Sequence, residues 1–277
     1  MMMHPPPSPP VLYAFPSKPD LAKALAQFIL KAQKDSVERK GRFTVALSGG
    51  SLPSLLTALI NDPAVKWDKW YVRRALCAQV HTSPIRRQVF YADERAVPLD
   101  HPESNHRLCM TELFDHVRIP PSHIHTIETT LLDDLEELAD AYEKELIHEF
   151  AQKDSARFPV FDLILLGTGP DGHTCSLFPG HELLTESDRW VAYLDDSPKP
   201  PLERITLTFP VLNHASRVAF VAAGENKADI LPLVLDKPDE HKLPASLVKP
   251  AHPGQVYWFV DDAAAAKLAF PRATFKL

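Results

Sequence analysis

The fold is inferred most readily from the segment Phe161-Asp-Leu-Ile-Leu-Leu-Gly-Thr-Gly-Pro-Asp-Gly-His-Thr174. The segment begins as a short, largely apolar run that predicts a strand over residues 161–166, and it ends in a glycine-rich turn. A strand without polar alternation is covered on both faces, which is typical of a parallel sheet between helices. Ligands of such sheets bind at the carboxyl ends of the strands. We therefore expect a functional site in the turn that follows Leu166.

The rest of the chain alternates between strand and helix patterns. Helices are predicted from Lys18-Pro19-Asp20 onward, over residues 132–150 and over residues 263–268. Further strands are predicted over residues 42–47, 88–92, 204–209, 218–223 and 255–260. This order predicts an α/β fold of Rossmann-like type, in which a mostly parallel sheet is wrapped by helices on both faces. We expect the chemistry in the loops after Leu47, Ala92, Leu166 and Ala223.

Composition excludes several classes of function. The 277 residues are 45% hydrophobic, which is enough for one large domain, and the net charge of -6 argues against a nucleic-acid partner. No apolar run approaches the ~18 residues that cross a bilayer, so we expect no membrane partner. The cysteines Cys77, Cys109 and Cys175 are odd in number and lack metal or redox spacing, which favours a reducing, cytoplasmic location.

The domain prediction is simple. The proline-rich residues 1–10 have the composition of a disordered tail and lack the apolar core of a secretory signal. Residues 11–277 are predicted to form a single domain. The sequence leaves the oligomeric state open.

The glycine-rich turn contains Gly167, Gly169 and Gly172 in the pattern G-x-G-x-x-G, which also opens dinucleotide-binding units. Pro170 interrupts this pattern, and the segment after it runs only to Phe178-Pro179-Gly180. That segment is too short for the crossover helix that a dinucleotide-binding unit requires. We therefore reject the dinucleotide interpretation.

The same turn presents Asp171 and His173 together. Histidine is the natural general base near neutral pH, and an adjacent carboxylate can orient its ring. The alternative is a buried histidine with a structural role. The neighbouring carboxylate and the position at a strand end favour catalysis.

Three other loops carry groups that suit a phosphate. The glycines of Ser48-Gly49-Gly50-Ser51 let backbone N–H groups approach an anion closely. Asp93-Glu94-Arg95 places an arginine at a strand end, and Gly224-Glu225-Asn226-Lys227 places a lysine at a helix start. The plainer alternatives are a tight turn, a solvated charge cluster and an ordinary surface lysine.

Metal ligands are sparse. His123 and His125 lie two residues apart and point the same way if the segment is extended, but no third ligand is evident. We therefore expect neither a metal nor another cofactor.

Together these stretches resemble the 6-phosphogluconolactonase family, part of a wider group that includes glucosamine-6-phosphate deaminase. The resemblance covers residues 11–70 and 88–270. Besides the four loops, it rests on Pro98 with Ser104-Asn105, on Ser176-Leu177-Phe178-Pro179-Gly180 and on Arg204-Ile205-Thr206-Leu207-Thr208. Two small departures lie beside the site: Thr168 replaces a common methionine, and Cys175 replaces a common alanine.

The resemblance implies a function and roles for the residues. The reaction would be hydrolysis of 6-phospho-D-glucono-1,5-lactone to 6-phosphogluconate in the pentose phosphate pathway. His173 would activate a water molecule and Asp171 would fix the imidazole, while the phosphate would lie against Arg95, Lys227 and Gly49-Gly50-Ser51. One rival is a sugar-phosphate deaminase/isomerase, although that branch typically has Asp-Glu-Tyr where this chain has Asp-Glu-Arg. The other rival is a non-catalytic sugar-phosphate sensor.

The run 71–87 departs from the family, in which a tryptophan such as Trp70 is followed almost at once by the strand that begins at Gln88. The run is rich in arginine and has no period of 2 or 3.6 residues. Three interpretations stay open: a disordered loop, a lid or partner-binding loop, and a retained intron translated in frame. Long structureless insertions in compact domains are usually functional or disordered.

Overall fold

The computed structural model describes residues 5–67, 89–119, 123–150 and 158–276. Its strands are β1 (Val11–Phe15), β2 (Val45–Leu47), β3 (Val89–Tyr91), β4 (Asp93–Arg95), β5 (Leu163–Leu166), β6 (Val191–Leu194), β7 (Arg204–Leu207), β8 (Arg217–Ala222) and β9 (Gln255–Asp261). Its α-helices are α1 (Lys18–Lys40), α2 (Leu52–Leu55), α3 (Asn105–Glu112), α4 (Leu135–Phe150), α5 (Phe209–Leu212), α6 (Ile230–Leu235), α7 (Pro238–His241) and α8 (Pro244–Leu247). Short 3-10 helices cover Leu56–Leu59, Phe114–His116, Thr129–Leu131, Glu182–Thr185 and Glu225–Lys227.

Six strands form a parallel sheet in the order β1-β9-β8-β5-β2-β3. Its centre is β5, the strand predicted from the apolar run, which pairs with β2 on one side and β8 on the other. The carboxyl ends of β2, β3, β5 and β8 therefore meet at one edge, as expected from the sequence.

Alternate residues of each central strand enter different hydrophobic cores. In β5, Ile164 and Leu166 pack with α4, whereas Leu163 and Leu165 pack with α1. Because both sets are fully buried, the sheet is covered by helices on both faces. The predicted α/β architecture is confirmed.

The start of α1 follows directly from the sequence. The Ser17 hydroxyl oxygen accepts a hydrogen bond from the Asp20 backbone N–H (3.3 Å), and a proline occupies the first turn. The helix ends at Gly41, whose φ of 74° closes the last turn. Both ends thus have the residues that such positions favour.

A second sheet departs from the simplest interpretation of the sequence. The strand predicted over 204–209 is observed as β7, but it pairs antiparallel with β4 and β6 in a separate three-stranded sheet. The segment Asp93–Arg95, predicted as a loop, is the edge strand β4 of this sheet. It begins two residues after β3 ends and therefore stays beside the carboxyl edge of the main sheet.

The helix predicted over residues 263–268 is wrong, because residues 262–267 form turns. The Asp261 carboxylate at the end of β9 accepts hydrogen bonds from the N–H groups of Ala264 (2.8 Å) and Gly224 (2.9 Å). These bonds fold the alanine run back against the strand end. So short a run has little helical stability of its own.

Three predictions for the chain remain untested by this structure. The run 71–87 lies outside the described residues. The proposed tail and the single-domain division stay predictions, although the Pro9 carbonyl accepts a hydrogen bond from the Gln255 side chain (2.7 Å). Among the described residues, no helix has the length and apolar character needed to span a membrane.

Candidate active site

The predicted site residues meet at an open cleft on the carboxyl edge of the main sheet. All of them except Asp171 line this cleft, and Asp171 contacts His173 beside it. The loops after β2, β5 and β8 contribute to its walls, as does β4. The predicted residues that line it are Gly49, Gly50, Ser51, Arg95, His173 and Lys227.

The glycine-rich turn after β5 shapes one wall of the cleft. The Gly169 N–H donates to the His173 carbonyl (2.9 Å), and the Gly172 N–H donates to the Gly169 carbonyl (3.1 Å). A Cβ atom at position 169 would lie 2.1 Å from the His173 ring, so only glycine leaves room for the imidazole. Since both N–H groups are used within the turn, a donor for a reaction oxyanion must come from elsewhere in the wall.

His173 and Asp171 form a hydrogen-bonded pair. Nδ1 of His173 lies 2.5 Å from Oδ1 of Asp171, and the imidazole packs against the Phe178 ring with centroids 4.7 Å apart. Because the carboxylate engages Nδ1, Nε2 is the nitrogen left for the cleft. This is the orientation that a general base requires.

The environment tunes both members of the pair. Burial lowers the pKa of the His173 imidazole, and the Asp171 carboxylate opposes this effect only in part. Burial alone would raise the pKa of Asp171, but the hydrogen bond and charge of His173 and the hydrogen bond from Lys199 together lower it. At neutral pH the pair is therefore a neutral imidazole beside an ionised carboxylate.

Lys199 is a neighbour of this pair that the sequence analysis missed. Its Nζ lies 3.1 Å from Oδ1 of Asp171 and 3.1 Å from Nδ1 of His173. It comes from the loop between β6 and β7, far from the glycine-rich turn in sequence. A Lys-Pro-Pro run looks like any other loop, so no local signal marks it.

The loop Ser48–Ser51 also lines the cleft. A Cβ atom at Gly49 would lie 1.8 Å from Oδ1 of Asn105, so the close packing of these two residues requires glycine. Pro53 occupies the first turn of the next helix. Because that helix, α2, is only four residues long, anion binding here would depend on the N–H groups of the loop itself.

Glu94 holds this part of the site together. Its carboxylate accepts hydrogen bonds from the backbone N–H groups of Arg95 (2.8 Å), Asn105 (2.7 Å) and His106 (2.8 Å). Burial raises the pKa of Glu94 to about 7, although these three donors favour the charged form. Asn105 in turn donates to the Asp93 carbonyl (2.8 Å), so the acidic residues of this segment shape the cleft.

Basic side chains collect on the cleft wall. Arg95 and Arg204 are direct register partners of β4 and β7, so their side chains leave the same face of the small sheet. Like charges placed opposite each other destabilise a sheet. Lys227, half-buried, adds a third cation and donates to the Thr168 carbonyl (2.8 Å). This concentration of positive charge suits an anionic ligand.

Arg204 differs from Arg95 in how its donors are used. It is buried, and its guanidinium donates to the carbonyls of Lys199 (2.6 Å) and Pro201 (2.9 Å). Burial lowers the pKa of Arg204, and the charge of Arg95 adds to this effect. Nε of Arg95, by contrast, has no acceptor among the described residues. Nη1 of Arg95 donates to the Glu103 carbonyl (2.5 Å) and lies 3.4 Å from the Glu103 carboxylate, so the guanidinium of Arg95 is engaged in part as well.

The histidine pair considered as metal ligands lies in the core. The His125 ring stacks on Phe90 with centroids 3.9 Å apart, and its Nδ1 lies 3.2 Å from Oε2 of Glu145. The described part of the chain contains no group of three or more His, Cys, Asp or Glu side chains arranged for a metal ion.

Comparison with known proteins gives a consistent result. The family model for glucosamine-6-phosphate isomerases/6-phosphogluconolactonase matches residues 16–258. The chain is 46% identical to the probable 6-phosphogluconolactonase of Schizosaccharomyces pombe, over 93% of this chain and 95% of that protein. It is 45% identical to the human 6-phosphogluconolactonase, over 96% of each protein.

A solved structure supports the same relationship. The 6-phosphogluconolactonase of Trypanosoma cruzi superposes with a TM-score of 0.77 at 28% identity and covers 96% of this chain and 99% of its own. Sequence, fold and the order of the cleft loops thus agree, and the chain belongs to the glucosamine-6-phosphate isomerase/6-phosphogluconolactonase family.

Proposed function

We propose that this protein hydrolyses 6-phospho-D-glucono-1,5-lactone to 6-phosphogluconate, as a step of the pentose phosphate pathway in the cytoplasm. Its relatives named 6-phosphogluconolactonase support the reaction. The observation that carries the proposal is the 2.5 Å contact between His173 and Asp171 in a cleft that also holds Arg95 and Lys227. A general base and a cationic anchor are the two parts that this reaction needs.

In the proposed mechanism, Nε2 of His173 takes a proton from a water molecule as the water oxygen attacks the lactone carbonyl carbon. The carbonyl electron pair moves onto its oxygen, which gives a tetrahedral oxyanion. The carbonyl then re-forms, the bond from carbon to the ring oxygen breaks, and the imidazolium returns its proton to that oxygen. The product acid ionises in water, so the imidazole ends the cycle neutral.

Asp171 and the basic residues support this chemistry without reacting. Asp171 accepts from Nδ1 and stabilises the imidazolium while it exists. Arg95, Lys227 and the backbone of Gly49-Gly50-Ser51 hold the phosphate, which positions the reacting carbon through binding energy remote from it. A lactone is an activated ester, so the proposed steps do not call for a Lewis acid.

A turnover assay tests the proposal. The purified protein should hydrolyse the phosphorylated lactone faster than buffer alone, which must be measured because the lactone opens spontaneously. Incubation with glucosamine 6-phosphate should release no ammonia. Ammonia release would favour the deaminase/isomerase rival, and binding of 6-phosphogluconate without lactone turnover would favour the sensor.

A further inference from the structure

Lys199 is held in place by its own backbone. Its carbonyl accepts hydrogen bonds from the Ser197 hydroxyl (2.9 Å) and the Arg204 guanidinium (2.6 Å), and its N–H donates to the Ser197 hydroxyl (3.3 Å). Because Arg204 also binds the Pro201 carbonyl, the whole turn is fixed to β7. The position of the lysine beside the glycine-rich turn is therefore built by the fold.

The ammonium group of Lys199 contacts both members of the His173–Asp171 pair. It lies 3.1 Å from the Asp171 carboxylate oxygen that also accepts from His173, and 3.1 Å from Nδ1 of His173. Its Nζ is 6.0 Å from the centroid of the Phe178 ring, against which the imidazole packs. Lys199 and His173 thus share one carboxylate oxygen of Asp171 and one aromatic surface, the Phe178 ring.

This arrangement limits the proton positions on His173. Nδ1 has two neighbours, a carboxylate that accepts and an ammonium that donates. The shorter distance, 2.5 Å to the carboxylate, favours a proton on Nδ1, because a proton on Nε2 would leave two acceptors facing each other. The ammonium then donates to the carboxylate and offsets part of its charge.

We propose that Lys199 is a positioning residue of the reaction: its ammonium group shares the Asp171 carboxylate with His173, fixes that carboxylate, and keeps the imidazole neutral with Nε2 free to take a proton. Lys199 acts through the pair and does not itself react. The inference rests on the proposed function for its kinetic consequence, but its effect on His173 is measurable without substrate.

The charges around His173 act in both directions. Asp171 and Lys199 contact it, and the cleft also contains Asp93, Arg95, Arg204 and Lys227. After burial, which lowers the pKa of His173 most, Asp171 raises that pKa, Lys199 lowers it and Asp93 raises it. Removal of the lysine charge should therefore raise the pKa of His173.

The test compares Lys199→Met with Lys199→Arg and with Lys249→Met. Lys249 is a matched control because its side chain is half-exposed and its Nζ lies 3.9 Å from Oδ1 of Asp239, outside the cleft. The His173 imidazole is titrated by 15N-resolved NMR in each protein, with its signal assigned by its loss in His173→Ala. The pH profile of kcat/KM for the phosphorylated lactone is measured alongside, and thermal unfolding checks each fold.

In Lys199→Met we expect the His173 midpoint and the acid limb of kcat/KM to move together to higher pH. The plateau of kcat should fall by about tenfold or less, as expected for a loosened but intact base. Lys199→Arg should stay near the wild type, and Lys249→Met should match it. An unchanged His173 midpoint in Lys199→Met overturns the inference, whether activity is kept, falls equally at all pH values or changes only in KM. If the His173 midpoint shifts in Lys199→Met but the wild-type protein does not hydrolyse the lactone, the proposed function is refuted and the effect of Lys199 on His173 stands.

Discussion

Replacement of Gly169 by alanine isolates the geometry of the base from its chemistry. The added Cβ atom would lie 2.1 Å from both Nδ1 and Cε1 of His173 and 2.5 Å from the Asp171 carboxylate. The backbone at this position does not have positive φ, so the methyl group itself and not backbone strain is the perturbation. All catalytic side chains are still present in this variant.

The size of the effect follows from the distance. Ordinary van der Waals contact begins at 3.4 Å, so the imidazole must move by more than 1 Å to admit the methyl group. A misplacement of about 1 Å can cost roughly 100-fold in rate, and complete loss of a positioned base costs about 10²–10⁴-fold. We therefore expect kcat to fall by roughly 100-fold or more, with an unfolding free energy lower by about 1–3 kcal/mol through overpacking.

The control is Gly167→Ala in the same turn, where an added Cβ atom meets no atom within 4 Å. Since Gly167 borders the cleft, its methyl group can change KM, and the comparison is therefore made on kcat. Steady-state kinetics with the buffer rate subtracted, together with thermal unfolding, measures both variants. A Gly169→Ala protein that is folded and turns over at the wild-type kcat would refute the claim that the position of the His173 imidazole determines the rate.

The remaining predictions concern the residues that bind the phosphate, the pH dependence of kcat/KM and the effect of removing metal ions. Arg95→Ala and Lys227→Ala should each weaken binding of the phosphorylated lactone by about 1.5–3 kcal/mol, roughly 10–150-fold. Arg107→Ala serves as a surface control. If both mutants discriminate against the unphosphorylated lactone as strongly as the wild type does, neither residue binds the phosphate. Burial lowers the pKa of His173 below its ordinary value of about 6.5, and the base must be neutral, so kcat/KM should rise with pH through an acid limb whose midpoint lies below about 6.5; a midpoint above that value would contradict the assignment. Activity should survive EDTA, because base-catalysed opening of a lactone requires no Lewis acid, and loss of activity that zinc restores would contradict this mechanism.

The main sheet could be predicted because its central strands are apolar without interruption. Burial on both faces removes the polar alternation of β5 and β8, and this loss of alternation is itself the signal. The edge strand β1 and the strand β6 were missed. β1 directly follows a proline-rich run, and β6 depends on antiparallel pairing with β7, which no local pattern encodes.

The site was predictable where a short stretch carries both the turn and the functional group. Asp171 and His173 lie in one glycine-rich turn, so their proximity follows from local sequence. Lys199 and Arg204 were not assigned roles, because their positions depend on how the small sheet packs beside the large one. Charge placement across elements distant in sequence requires the tertiary structure.

Turnover of 6-phospho-D-glucono-1,5-lactone by His173→Ala shows whether His173 is the general base of the reaction. His181→Ala is the matched control, because His181 also pairs with an aspartate, Asp196 at 2.9 Å, but does not line the cleft. We predict that His173→Ala lowers kcat by roughly 10²–10⁴-fold with a much smaller change in KM, while His181→Ala keeps the wild-type rate. A folded His173→Ala protein that retains wild-type turnover above the spontaneous rate would contradict the assignment of His173 as the general base.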